Sequence, residues 1–91
     1  MKDRTKARGT ALQALYELDI TEHALGVVIQ ERIRDSDLNE ELTGFVHDIV
    51  TGVWPLKTSL DQVIAEHAPE WPFDQVAVID RNILRIALWE F

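Results

Sequence analysis

Apolar residues recur along this chain at helical spacing, and nowhere do they alternate with polar ones over the length of a strand. Between residues 11 and 20 they stand at Ala11, Leu12, Leu15 and Leu18, with Ala14 beside them. That is one face of a helix running from about Arg4 to Asp19. Thr21 is placed to cap a second helix with the inner face Leu25, Val28, Ile29 and Ile33. Gly26 weakens that helix by about 1 kcal/mol relative to alanine, so it depends on tertiary packing. The stretch Asp35-Ser36-Asp37-Leu38-Asn39 is a turn, and Asp37 with Glu40 three residues on resembles a capping box opening a third helix.

The third helix has its apolar positions at Leu42, Phe45, Val46, Ile49, Val50 and Val53. The same phase continues beyond Pro55 through Leu56, Leu60, Val63 and Ile64. One helix of about 28 residues, bent at the proline, fits this pattern, because an unbent Pro55 would clash with the carbonyl of Thr51 at a cost of roughly 3 kcal/mol. Two prolines and two aromatics in Ala68-Pro69-Glu70-Trp71-Pro72-Phe73 end the helix, and residues 68–74 read as a packed loop. From Gln75 to Phe91 the chain is apolar almost all round. Val76, Ile79, Ile83, Ile86 and Ala87 form a face assigned to the bundle, and Ala77, Leu84, Leu88 and Phe91 form a second one. The chain stops at Trp89-Glu90-Phe91 without a cap, so the sequence reads as cut short and self-association through residues 75–91 is expected. The class is all-α: a three-helix bundle plus a buried fourth helix, in one domain.

Composition narrows the function classes. Ninety-one residues make one small domain or a piece of one, and the absence of cysteine excludes a disulfide framework, a thiolate zinc site and a cysteine nucleophile. No apolar run is long enough for a membrane span or a secretory signal, and the expected compartment is the cytoplasm. The net charge of −7 is unevenly spread: +3 over residues 1–10, −11 over 11–80 and +1 over 81–91. A basic arm over residues 1–8 on an acidic body suggests a polyanion-binding element, and a solubilising terminus is the plainer alternative.

Little here points to catalysis, a metal or a cofactor. His23, His47 and His67 have no metal-ligand spacing, the carboxylates fall on predicted exposed faces or caps, and the four glycines stand singly. Two blocks remain. In the first, Lys2, Arg4, Lys6 and Arg8 precede Gln13 and Tyr16 on one helix. Cations neutralise phosphates, while an amide or a phenol can read or stack on an unpaired base; Tyr16 reads equally well as a core-edge aromatic. In the second, Arg81 and Arg85 lie in line with Trp89 on an otherwise apolar helix, where a structural salt bridge to Asp80, to Glu90 or to an acid of the first helix is the plain reading.

The run ARGTALQALYELDI behind a basic N-terminus, followed some way on by VIDRNILRIALWEF, resembles the NusB family of bacterial transcription antitermination factors, and FVHDIVTGVWPLKTSLDQVI resembles that family's third helix. The resemblance implies an all-helical RNA-binding fold whose C-terminal half is missing here. It implies a non-enzymatic adaptor that pairs with the ribosomal protein NusE, binds boxA-type RNA of ribosomal RNA leader transcripts and joins the transcription elongation complex. Carried over, Lys2, Arg4, Lys6, Arg8, Gln13, Tyr16 and Arg85 are the RNA-binding positions, and Tyr16, Asp80 and Arg81 the partner-binding ones. With Arg4, Lys6, Arg8 and Arg85 each on a phosphate, the log–log salt slope for single-stranded RNA is expected near about −3. Two alternatives stand beside this: a NusB-like domain delivering RNA to a cytosine methyltransferase, and an acidic helical module that binds only protein.

Overall fold

Helix α1 (Lys2–Ile20) packs against three others, α2 (Leu25–Arg34), α3 (Glu40–Val53) and α5 (Val78–Glu90), while α4 (Lys57–His67) packs mainly on α5. These assignments come from a computed structural model that describes residues 2–67 and 78–91, at Lys2 the backbone alone. The expected loop over residues 68–74 and the start of the last helix, Gln75, Val76 and Ala77, lie outside the described residues. Every element among the described residues is helical, which makes the fold all-α.

The centre of the bundle follows from the size of the α1 side chains. Ala7, Ala11 and Ala14 are fully buried at i, i+4 and i+7, and these small groups let neighbouring helices approach closely. Leu15 and Leu18 from α1, Val28 and Ile29 from α2, Val46, Ile49, Val50 and Val53 from α3, and Ile86 from α5 complete the core. Ala7 belongs to it although it sits among the cations. The basic segment is therefore the first turns of α1 itself.

Three boundaries differ from the sequence pattern. Thr21 does not cap α2: its hydroxyl donates to the Glu17 carbonyl at 2.7 Å, satisfying an otherwise open carbonyl at the end of α1, and accepts from the His23 amide. Helix α2 starts later, after Ala24, with no side-chain cap. Asp37 and Glu40 form no capping box, because the cap of α3 is Asn39, whose side chain accepts from the Leu42 amide at 2.9 Å.

The bend at Pro55 is present as a single 3-10 turn, Trp54–Leu56, closed by the Lys57 amide on the Trp54 carbonyl. Beyond it Leu60 and Ile64 turn inward as expected, but Leu56 and Val63 are exposed. The inward face of α4 is fixed by Asp61, which reaches Arg85, and Val63 lies about 200° around the helix from it. The same pairing rotates α5. Asn82, Arg85 and Ile86 point inward and Trp89 packs against the core, whereas Ile79 and Ile83, expected in the core, are exposed. Leu84 and Leu88 are half-buried, and Phe91 is fully exposed.

Candidate nucleic-acid and partner interface

Alternate positions on a helix face opposite ways, and that separates the cations of α1. Arg4 and Arg8 lie toward α3, their guanidinium carbons 4.7 and 5.5 Å from the centre of the Phe45 ring. Arg8 also grips Glu90 at the end of α5 in a fork, Nε to Oε2 at 2.9 Å and Nη2 to Oε1 at 2.9 Å. The hydrogen bonds that Arg8 donates to Glu90 raise its pKa, with a smaller opposing effect of burial. One of the cations expected to meet RNA is thus already charge-balanced.

Lys6 lies about 200° around α1 from both, and is exposed. It lines a cleft of about 280 Å³ with Gly9, Thr10, Gln13, Arg32 and the turn from Asp35 to Leu38. A second cleft of about 300 Å³ continues from it, lined by Gln13, Tyr16, Glu17, Ile20, Arg32 and Ile79. Gln13 and Arg32 belong to both, so Lys6, Gln13 and Tyr16 form one continuous strip along α1 flanked by Arg32 of α2. Tyr16 is 39% exposed, a ring at the edge of the core with a face to solvent.

Arg85 is elsewhere and differently placed. At 2% exposure it is the hub of an internal network: Nε and Nη2 bond Asp61 at 2.7 and 2.6 Å, and Nη1 bonds Asp19 at 2.8 Å and the Asn82 side-chain oxygen at 3.1 Å. Asn82 in turn donates to Asp19 at 2.7 Å. Burial opposes the charge on Arg85, but the Asp61 hydrogen bonds and the attraction of Asp19 and Asp61 outweigh it, and the pKa is raised. The surface role expected of Arg85 is corrected here: turning it toward a phosphate would strand two carboxylates. An acid of the first helix does pair with it, as the plain reading has it.

Asp80 is exposed in the first turn of α5, one residue from the Ile79 that lines the second cleft, and Arg81 is half-buried. His23, His47 and His67 are all exposed, and no group of metal-ligating side chains occurs among the described residues. From the sequence Arg32 has no assigned role, Phe45 is only an apolar position of the third helix, and Glu90 is a salt-bridge candidate for the arginines of its own helix rather than for Arg8. The available signal for Arg32 was that it is one of three cations within residues 11–80.

The model of the NusB family matches residues 5–91. The transcription antitermination protein NusB of Chloroflexus aggregans is 40% identical over 87 residues, covering 96% of this chain and 58% of that protein. Its counterpart in Roseiflexus sp. strain RS-1 is 41% identical over 87 residues, covering 96% and 61%. That of Bacillus cereus strain B4264 is 37% identical over 90 residues, covering 99% and 67%. The chain spans about three-fifths of the length of the first two relatives. No solved structure matches it.

Proposed function

The chain belongs to the NusB family, and from that premise we propose that it is an RNA-binding, non-enzymatic part of a cytoplasmic transcription antitermination factor. The observation that carries the proposal is the strip on α1: an exposed cation, Lys6, leads through Gln13 to a half-exposed Tyr16, with Arg32 alongside both clefts. That order supplies a phosphate contact, an amide and a stacking face along one track, as single-stranded RNA requires. The RNA is of boxA type, and the partner is a NusE-type ribosomal protein within the elongation complex.

With Arg85 internal and Arg8 held by Glu90, the cations left to neutralise phosphates are Arg4, Lys6 and, from α2, Arg32, three where the charge count has four. The log–log salt slope for single-stranded RNA should lie near about −2, and Lys6→Ala should flatten it by about 0.7 while weakening binding to all sequences alike. Fluorescence anisotropy across a salt series reads both quantities. A Lys6→Ala protein with unchanged slope and affinity would exclude this face of α1 as the RNA site.

The partner protein docks where the second cleft opens toward α5, at Tyr16, Ile79, Asp80 and Arg81. Asp80→Lys should reduce capture of the cognate ribosomal protein with helix content intact by circular dichroism. The reversal places a cation in the first turn of α5, a cost of about 0.3–1 kcal/mol that leaves the fold standing. Equal capture by both proteins would remove Asp80 from the contact. Self-association runs through Ile83 and Phe91, which with Ile79 are the exposed large apolar groups among the described residues of this end of the chain.

A further inference from the structure

We propose that Arg32 is an RNA-contacting residue, and that the cleft it shares with Lys6 seats one phosphate–ribose unit of single-stranded RNA. The proposal deepens the RNA reading above and rests on it. Arg32 is the cation common to both clefts. Its Nε is hidden from solvent and makes no hydrogen bond. The carboxylates nearby, Glu17 at 3.6 Å from Nε and Asp35 at 4.0 Å from Nη2, give it charge without a bonded acceptor. The Nε is enclosed, but about a third of the side chain is open and Nη2 stands 4.0 Å from Asp35, so the Nη groups are the donors that an arriving phosphate oxygen meets. Arg34, on the same helix, is the solvated arginine for comparison, with three-quarters of its side chain exposed.

The remaining groups of the cleft bear on which ligand it takes. The hydroxyls of Thr10 and Ser36 already donate to the carbonyls of Lys6 and Ile33, so the donors left for a phosphate are Lys6, Gln13 and Arg32. The same cleft is lined by Asp37, which makes no ion pair with any described residue. A carboxylate repels a phosphate but accepts from a hydroxyl, and the ribose 2′-OH is such a donor. The cleft therefore suits RNA, which brings both groups, and disfavours DNA, which brings only the anion.

The experiment uses the full chain with labelled oligouridylate and oligodeoxyuridylate of equal length, which differ only in the 2′-OH. Arg32→Gln should lower RNA affinity roughly tenfold, the share of one charge-assisted phosphate contact, and flatten the salt slope by about 0.7. Arg32→Lys should keep the slope and lose part of the affinity, because the fork is gone while the charge stays. Arg34→Gln should change little, and Asp37→Ala should raise DNA affinity more than RNA affinity. An Arg32→Gln effect no larger than that of Arg34→Gln overturns the site. Should Lys6→Ala also be silent, the RNA reading of this face falls with it; should Lys6→Ala weaken binding, only the Arg32 site falls. An Arg32→Gln protein that binds RNA normally yet loses the ribosomal protein would make the cleft a protein contact and overturn the proposal as well.

Discussion

Arg85→Met will destabilise the protein by about 3–5 kcal/mol, the largest single-residue effect expected in this fold. The magnitude comes from what is left behind. Asp19 and Asp61, with 12% and 24% of their side chains exposed, lose the cation that compensates them, and Asn82 loses a donor to its side-chain oxygen. Breaking one partner of a buried pair costs more than removing the pair. The triple variant Arg85→Met with Asp19→Asn and Asp61→Asn should therefore recover much of the loss. Urea unfolding followed by circular dichroism measures both. Equal stability of Arg85→Met and the parent would mean that the carboxylates are solvated and the hub is ornamental.

The sign of the pH dependence is fixed by the raised pKa of Arg85. A cation stabilised in the folded state contributes fully below its unfolded pKa and is lost only as pH rises through the higher folded one. Its contribution is accordingly constant from neutral through moderately alkaline pH.

How far the sequence reveals this depends on whether an interaction repeats locally. Helices α1, α2 and α3 declare themselves because Leu15, Leu18, Val28, Ile29, Val46, Ile49 and Val50 recur at helical spacing and are buried. The bend at Pro55 is equally legible, since a missing N–H has one local remedy. Helix α5 defeats the same rule: its inward face carries Asn82 and Arg85, and counting apolar residues favours Ile79 and Ile83 instead. Only the positions of Asp19 and Asp61, set by the packing of α1 and α4, reveal which face is inward. In the site, Lys6, Gln13 and Tyr16 are legible as one stripe of one helix. The neutralising contact between Arg8 and Glu90 joins residues 82 apart, and the approach of Arg32 depends on how α2 packs on α1, neither of which spacing encodes.

Gly52→Ala will destabilise the fold by about 1–3 kcal/mol, even though alanine is the better helix former by about 1 kcal/mol. Gly52 sits in α3 directly beneath the indole of Trp89, and a Cβ built there falls on the ring. Three indole atoms lie in its path, so relief requires the Trp89 ring to swing out of its packing or the end of α5 to shift. That end carries Glu90, the fork partner of Arg8, so a shift of the helix end reaches the basic turns of α1 as well. Gly44, in the same helix, faces open space, and Gly44→Ala should stabilise by about 0.5–1 kcal/mol. Thermal unfolding separates the two in one experiment, because 1 kcal/mol moves Tm by about 4–8 °C in a domain of this size. Trp89→Leu in the Gly52→Ala background should recover part of the loss, since a smaller side chain makes room for the methyl group. A Gly52→Ala protein that melts above the parent would show that α5 yields freely at its end, and that Trp89 does not fix the contact between the basic turns of α1 and Glu90.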